Sequence, residues 1–277
     1  MRIVIKIGTN VLTNNSGLID QASINSLVGE IFSLRKMGYE VILVSSGAVG
    51  AGRQELPKLE SVMDKQVWAA AGQPILMNLY AEAVEKFGAI VGQVLILRSE
   101  LTDRQRYDTL VNALDGMLKA GLLPIVNGND VISLADLLTS DNDLLAGMVA
   151  IATRAEKLII LTNQQGLFTA DPNLDKNAEL VREVENIDFE FERLCSNTKS
   201  TPGRGGMLSK VRAAKHAANA GIETFIVDGR EKDILLKVIK FAAVGTKVRA
   251  SGTNEITEHK RWLLAAKGFG QLIIDDG

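Results

Sequence analysis

Short apolar runs alternate with longer amphipathic stretches along the whole chain. Runs rich in valine, isoleucine and leucine are typical of strands that are buried on both faces of a parallel sheet. Six such strands are predicted, at 2–7, 40–45, 89–97, 122–126, 157–161 and 223–227. Helices are predicted between them, at 20–36 with Asp20 as the N-cap, and at 61–87, 105–119, 144–153 and 211–219. The alternation predicts an α/β fold with a largely parallel sheet.

Polar loops that contain glycine follow four of the predicted strands. They lie at 8–10, 45–52, 127–130 and 162–166. In open α/β sheets, ligands bind outside the carboxyl ends of the strands. We therefore expect these four loops to line a ligand cleft.

Two lysines from opposite ends of the chain lie beside glycines. Lys6 interrupts the first strand just before Gly8, and Lys210 follows a glycine-rich segment at the start of a predicted helix. A lysine at a strand end is also common on a surface, and such glycines also suit a flexible loop. Together, however, backbone N–H groups, a helix N-terminus and two positive charges predict a phosphate site. Phosphoryl transfer needs such charge and little covalent chemistry.

Three carboxylates lie close to these loops in the sequence, namely Asp130, Asp141 and Asp143. They can orient the lysines, hold Mg²⁺ or bind an amino group of a substrate, and the spacing leaves these roles open. The segment 141–143 also suits an ordinary capped helix.

Composition and missing motifs exclude several other classes of protein. The 277 residues carry a net charge of −2 and a pI near 5.8, which argues against a nucleic-acid binder. Cys195 is the only cysteine, and His216 and His259 are isolated and expected at the surface, so no metal site is predicted from them. The chain has no Walker A motif and no G-x-S-x-G motif, and segment 47–52 reverses the order of a dinucleotide fingerprint. The start lacks a signal-peptide pattern and no run reaches ~18 apolar residues, which predicts a cytoplasmic protein.

The chain resembles the amino-acid kinase superfamily, and within it the glutamate 5-kinase family. The motifs that carry the resemblance are K-I-G-T at 6–9, S-S-G-A at 45–48, K-Q at 65–66, A-A-G-Q at 70–73, N-D at 129–130, D-N-D at 141–143, Q-G-L at 165–167, T-A-D-P at 169–172, G-G-M at 205–207 with Lys210, K-R-W at 260–262 and D-D-G at 275–277. The resemblance implies an amino-acid-kinase-like α/β/α sandwich around a largely parallel sheet. It implies a kinase domain over 1–255, with 1–153 mainly an acceptor lobe and 154–255 mainly a nucleotide lobe. Residues 256–277 would be a tail at the point where many members begin a PUA domain.

The resemblance also implies an activity and the residues that perform it. The activity is ATP-dependent phosphorylation of the L-glutamate side-chain carboxylate to L-glutamyl 5-phosphate, with Mg²⁺, as the first step of proline biosynthesis. Lys6, Lys210 and Asp143 would be catalytic, with Asp143 holding the two lysines in place. The positions that match glutamate-binding residues are Ser46, Asp130 and Asn142. The positions that match the nucleotide site are Lys6, Gly8, Thr9, Thr162, Asn163, Arg204, Gly205, Gly206, Met207, Leu208, Ser209 and Lys210, and no side chain is assigned to a metal.

Further implications concern partners and departures from the family pattern. The resemblance implies L-glutamate as substrate, proline as a feedback inhibitor, an associated glutamyl-phosphate reductase and a homo-oligomer, with neither nucleic acid nor membrane. Gly128 and Ser140 depart from the pattern near the acceptor pocket, and Asn163 and Arg204 depart from it near the nucleotide. Two alternatives stay open: a kinase of the same fold that acts on acetylglutamate, aspartate, carbamate or uridylate, and a sensor that binds glutamate or proline without transferring phosphate.

Overall fold

The structure is a computed structural model that describes residues 1–14, 16–56, 63–132, 142–170, 172, 174–187, 206–241, 243–252 and 256–266. Within them the strands are β1 Arg2–Ile7, β2 Glu40–Ser45, β3 Val91–Ile96, β4 Leu123–Gly128, β5 Lys157–Thr162, β6 Leu167–Phe168, β7 Leu180–Val181, β8 Glu183–Val184, β9 Glu223–Asp228 and β10 Thr246–Val248. The helices are α1 Gln21–Lys36, α2 Ala48–Glu55, α3 Asp64–Glu85, α4 Arg104–Lys119, α5 Asn142–Ala152, α6 Met207–Asn219, α7 Ile234–Phe241 and α8 Glu258–Ala265. Two short 3-10 helices span Thr9–Val11 and Arg98–Thr102.

The main sheet has eight strands in the order β3–β4–β2–β1–β5–β9–β10–β8. Neighbouring strands from β3 to β9 pair in parallel, whereas β10 pairs antiparallel with β9 and parallel with β8. Strands β6 and β7 form a separate antiparallel pair. The predicted α/β fold with a largely parallel sheet is therefore confirmed, and the strand that carries Lys6 lies in its interior.

Helices cover both faces of this sheet. On one face, Ile3, Ile5 and Ile7 of β1 belong to a core built with α1, α3 and α7. On the other face, Val4 belongs to a core built with α4, α5, α6 and α8. Because side chains alternate along a strand, Lys6 lies on the same face as Val4 and reaches α5. The helix that receives the lysine thus packs directly on the strand that bears it.

The six predicted strands are all present, with ends that differ by no more than two residues from those predicted. Asp20 caps α1 as expected, because its carboxylate accepts hydrogen bonds from the backbone N–H groups of Ala22 and Ser23. The expectation for His216 was wrong: this side chain is buried on α6, a helix whose alanines pack closely into the core, whereas His259 is exposed. No helix among the described residues is both long and apolar enough to cross a membrane.

The segment after β2 forms helix α2, where the sequence predicted a glycine-rich loop. Gly47 turns the chain into this helix with a φ of 115°, a left-handed conformation that favours glycine. Gly52 lets α2 contact α3 closely, since a Cβ there would lie 1.9 Å from the carbonyl oxygen of Trp68. A Cβ on Gly72 of α3 would likewise lie 1.9 Å from the carbonyl oxygen of Ala48. These glycines therefore serve helix packing.

Part of the predicted tail is helical and packs on the domain. The indole N–H of Trp262 in α8 donates to the carbonyl oxygen of Leu101 at 3.2 Å, and Ala265 is fully buried. Helix α8 also contacts α5, which begins with Asn142 and Asp143.

Candidate active site

Two buried lysines meet at one buried carboxylate. Lys6 Nζ lies 2.6 Å from Asp143 Oδ1, and Lys210 Nζ lies 2.9 Å from Asp143 Oδ2. Lys6 comes from β1, Asp143 from the first turn of α5, and Lys210 from the first turn of α6. The hydroxyl of Ser209 also donates to Asp143 Oδ2, at 3.1 Å. The chain thus brings together residues that lie more than two hundred positions apart in the sequence.

The electrostatics of this cluster keep its carboxylate ionised. Asp143 is 1% exposed, and Lys6 and Lys210 are 5% and 6% exposed. Burial by itself raises the pKa of the Asp143 carboxyl, but the ammonium charges of Lys210 and Lys6 outweigh it and lower this pKa to about 2. The carboxylate therefore stays ionised at neutral pH and pairs with both ammonium groups, which can in turn attract an anion.

Glycines at two places give an anion access to these lysines. A Cβ on Gly8 would lie 3.7 Å from Lys6 Nζ and 3.3 Å from the carbonyl oxygen of Leu161, so its absence keeps the space beside the ammonium open. Gly206 is the N-cap of α6 and makes no side-chain capping hydrogen bond. The first turn of α6, with Lys210 in it, offers backbone N–H groups and the positive end of the helix dipole. The geometry fits phosphate oxygens.

A chain of three side-chain amides lies next to this cluster. Asn127 Nδ2 donates to Gln73 Oε1 at 2.9 Å, and Asn127 Oδ1 accepts from Asn142 Nδ2 at 2.8 Å. Asn142 Nδ2 also lies 3.1 Å from Ser46 Oγ and 3.2 Å from the carbonyl oxygen of Ser45. Asn142 directly precedes Asp143, so neighbouring residues at the start of α5 join the amide chain to the lysine pair.

Two oxygen acceptors converge beside Gly128 at the end of β4. A Cβ on Gly128 would lie 3.4 Å from Asn142 Oδ1 and 3.6 Å from Asp130 Oδ1. The missing side chain leaves room between a neutral and an ionisable oxygen. A ligand that carries a cationic donor, such as an ammonium group, matches this pair of acceptors.

The loops after β5 and β9 meet on the other side of the lysine pair. Gly229 N–H donates to the carbonyl oxygen of Thr162 at 2.8 Å, and Arg230 Nη2 donates to that of Asn163 at 2.8 Å. Arg230 is also held by Asp228, with which it makes an ion pair at 2.9 Å. Gly8 N–H donates to the carbonyl oxygen of Leu161, which ties the first loop to β5.

The structure therefore brings most of the predicted site residues to the carboxyl edge of the sheet. The direct contacts join Lys6, Asp143, Ser209 and Lys210 in one group, and Ser46 and Asn142 in the other, with Asp130 near Asn142. Thr9 begins a 3-10 helix, and Met207 and Leu208 lie in the first turn of α6. Arg204, Gly205, Asp141 and Ser140 lie outside the described residues.

Gln73 and Asn127 were not predicted to be site residues. Gln73 nevertheless lies in the A-A-G-Q motif at 70–73, and Asn127 begins the polar loop at 127–130. Each is a polar amide that lies among apolar residues. In the structure both side chains are buried, with Gln73 8% and Asn127 2% exposed. Buried amides need hydrogen-bond partners, so each marks a polar network. Arg230 was also missed, because nothing in the sequence places it beside Asn163.

The fold and the lysine–aspartate–lysine cluster define an α/β enzyme of the kind that handles phosphate groups. A family model described as "Amino acid kinase family" matches residues 1–228. The chain belongs to the amino acid kinase family.

Curated relatives share this sequence over nearly its whole length. "Glutamate 5-kinase 2" of Pseudoalteromonas translucida (strain TAC 125) is 40% identical over 279 residues, which are 99% of this chain and 76% of that protein. "Glutamate 5-kinase" of Aliivibrio salmonicida (strain LFI1238) is 40% identical over 99% of this chain and 75% of that protein. "Glutamate 5-kinase" of Shewanella pealeana is 40% identical over the whole chain and 75% of that protein. The predicted resemblance is confirmed.

Solved structures of low sequence identity share the fold. Carbamate kinase from Giardia lamblia bound to AMP-PNP superposes with a TM-score of 0.64 at 19% identity, over 90% of this chain and 98% of that one. UMP kinase from Ureaplasma parvum superposes with a TM-score of 0.57 at 16% identity, over the same shares of the two chains. The predicted amino-acid-kinase-like architecture is therefore confirmed.

Proposed function

We propose that this protein transfers the γ-phosphoryl group of ATP to the side-chain carboxylate of L-glutamate. The product would be L-glutamyl 5-phosphate, and the reaction would be the first step of proline biosynthesis. The names of the curated relatives at 40% identity support glutamate as the acceptor. The Giardia lamblia carbamate kinase is described as bound to AMP-PNP, which supports a nucleotide as the donor.

The lysine pair would stabilise the group in transfer. In the proposed step, a side-chain carboxylate oxygen of glutamate attacks the γ-phosphorus, and the bond from that phosphorus to the ADP oxygen breaks. ADP leaves with the electron pair, so no proton is transferred. Lys6 and Lys210 would contact the oxygens that carry the negative charge during this step. Asp143 would hold both ammonium groups at the positions where that charge develops.

The acceptor end of the site fits an α-amino acid. Asp130 and Asn142 Oδ1 would accept hydrogen bonds from the ammonium group of glutamate in the space beside Gly128. The hydroxyl of Ser46, which lies 3.1 Å from Asn142 Nδ2, would contact the same substrate. The observation that supports the proposal is that adjacent residues belong to the two groups of contacts: Asn142 to the amide chain beside Gly128, and Asp143 to the lysine pair. A single peptide bond would therefore join the residue at the amine end of the site to the residue at the phosphoryl end.

The nucleotide would lie across the start of α6 and the loops after β5 and β9. Gly206, Met207 and Leu208 would present backbone N–H groups to phosphate oxygens, beside Gly8 and Thr9, and Ser209 would lie next to them in the same turn. The loop at Thr162 and Asn163 would contact the nucleoside. Mg²⁺, when bound, neutralises phosphate charge and is held largely by nucleotide oxygens. In this proposal, 1–153 mainly binds the acceptor and 154–255 mainly the nucleotide.

The proposal is tested by the choice of acceptor. Purified protein is incubated with Mg-ATP and L-glutamate in hydroxylamine, which traps acyl phosphates as hydroxamates, while ADP release is followed in parallel. Aspartate, acetylglutamate, bicarbonate with ammonia, and UMP are run as matched acceptors. The expected result is hydroxamate and ADP in equal amounts with L-glutamate. Turnover with a different acceptor would replace the proposed substrate, and binding of glutamate or proline without ADP release would favour a sensor.

A further inference from the structure

We propose that Gln73 is a positioning residue for the acceptor, because it anchors Asn127, whose side chain accepts one of the hydrogen bonds that hold Asn142. Gln73 lies in α3, and its Oε1 accepts a hydrogen bond from Asn127 Nδ2 at 2.9 Å. The inference rests on the proposed function in one respect, the contact of Asn142 with the substrate. It assigns to Gln73 no contact with substrate of its own.

A backbone N–H fixes the direction of the whole amide chain. Gly128 N–H donates to Asn127 Oδ1 at 2.9 Å, and a backbone N–H can only be a donor. The oxygen of Asn127 therefore faces Gly128, and its Nδ2 faces Gln73, which must present Oε1. Asn142 must then present Nδ2 to Asn127 Oδ1, at 2.8 Å. The consequence is that Asn142 Oδ1 faces the space beside Gly128, where it joins Asp130 as an acceptor.

Close packing holds Gln73 in place, so its oxygen offers Asn127 a fixed acceptor. Gln73 is 8% exposed, and the preceding Gly72 packs its backbone against α2. Its Nε2 is buried and has no hydrogen-bond partner in the described part of the chain. The acceptor oxygen of Gln73 is thus the half of the amide that the network uses.

Loss of that oxygen would release Asn127 to rotate. The buried Nδ2 of Asn127 would then lack its acceptor, which costs free energy. Any movement that offers this NH₂ group another partner shifts Asn127 Oδ1 away from Gly128 N–H and from Asn142 Nδ2. Asn142 would lose one of its three acceptors and Asn142 Oδ1 would be held less firmly toward the substrate, while the lysine pair at Asp143 would keep its own ion pairs.

Two variants of similar shape separate positioning from packing. Gln73→Met fills the same volume without an acceptor oxygen, and Gln73→Glu keeps an acceptor oxygen at Oε1. Asn78→Ala is the control on the same helix, because Asn78 is exposed and its side chain donates to Glu82 one turn further along. We expect Gln73→Met to raise KM for L-glutamate about 5- to 30-fold, the effect of one buried hydrogen bond. KM for ATP and kcat should stay within about twofold, and Gln73→Glu should restore most of the affinity for glutamate.

The outcomes distinguish this inference from the proposed function. If wild-type protein phosphorylates another acceptor, KM for that acceptor is measured in the same variants. Equal KM values in wild type and Gln73→Met, or equal losses in Gln73→Met and Gln73→Glu, would overturn the positioning role.

A second measurement needs no turnover. In ¹H–¹⁵N spectra of ligand-free protein, the Asn142 side-chain NH₂ signal is identified by its loss in Asn142→Asp. Its protons should exchange slowly with solvent in wild type and Gln73→Glu, and rapidly in Gln73→Met. Unchanged exchange in Gln73→Met would also overturn the inference, whatever the acceptor is.

Discussion

Replacement of Asp143 by asparagine removes a carboxylate that is shared by two buried lysines. The distances of 2.6 Å to Lys6 and 2.9 Å to Lys210 show that both ammonium groups pair with it. Removal of one partner of a buried ion pair costs about 3–5 kcal/mol, because a buried charge is left without compensation. The amide NH₂ group would also face one of the ammonium groups. We therefore expect Asp143→Asn to lower the free energy of unfolding at pH 7 by about 3–5 kcal/mol, and Tm by on the order of 10 °C.

The pH dependence of stability supplies a second magnitude for the same carboxylate. Its pKa is lowered from 3.8 to about 2 in the folded protein, by the two lysines against the effect of burial. A folded-state pKa below the unfolded value stabilises the protein at pH values above the unfolded pKa. This contribution, about 2 kcal/mol, is lost as the pH falls from about 4 toward 2. Asp143→Asn lacks it, so the stability difference from wild type should shrink over that interval.

The assay is urea unfolding followed by circular dichroism at pH 7, 5, 4 and 3, for wild type and variant. Glu40→Gln is the matched control, because it removes the carboxylate from a pair with Arg2 in which Glu40 is 49% exposed. An exposed pair contributes at most about 1 kcal/mol, so this variant should stay close to wild type at pH 7.

Two results would refute the reasoning about Asp143. The first is a loss of less than 1 kcal/mol at pH 7 in Asp143→Asn, since the lysines would then not depend on the carboxylate. The second is a stability difference from wild type that stays constant between pH 5 and pH 3, because protonation of Asp143 would then contribute nothing.

Three further substitutions probe the phosphoryl end, the acceptor end and the helix packing behind them. Lys210→Ala should lower kcat by at least about 100-fold in folded protein, because its charge acts mainly in the transition state; steady-state kinetics with kcat near wild type would remove the assignment. Asp130→Asn should raise KM for the amino acid about tenfold with little change for ATP, because it loses charge opposite the ammonium; an unchanged amino-acid KM would refute that role. Gly72→Ala should lower the unfolding free energy by several kcal/mol, because the new Cβ would lie 1.9 Å from the carbonyl oxygen of Ala48. The matched Gly116→Ala, where nothing lies within 4 Å, should be neutral or raise stability by up to about 1 kcal/mol, and thermal unfolding of both variants checks the pair.

Most of the long strands were predictable because they are near-continuous apolar runs, which burial on both faces requires; β3 is the exception, since Gly92 and Gln93 interrupt its run. Lys6 stood out for the same reason, since a charged residue in a buried strand needs a partner. Helix α2 was missed because its glycines resemble a loop in sequence, and their reason, the contact with α3, exists only in three dimensions. The short strands β6, β7, β8 and β10 have two or three residues each, too few to produce a periodic signal.

The site could be predicted in parts. The two lysines and Asp143 were identified from neighbouring glycines and from the resemblance, and the structure shows that they touch. The amide chain from Gln73 to Asn142 was not predictable, because its direction follows from one backbone N–H at Gly128. Hydrogen-bond direction depends on coordinates, and sequence spacing carries no information about it.

The central claim, that a glutamate carboxylate attacks the γ-phosphorus of ATP, is tested most directly by isotope transfer. L-Glutamate labelled with ¹⁸O in both side-chain carboxylate oxygens is incubated with the protein, Mg-ATP and hydroxylamine, and the released phosphate is analysed by mass spectrometry. Hydroxylamine attacks the carbonyl carbon of the acyl phosphate, so the bridging oxygen leaves with phosphorus. The account predicts one ¹⁸O atom in each phosphate and one in each hydroxamate. Phosphate without ¹⁸O would mean that water attacked ATP, and would contradict the claim.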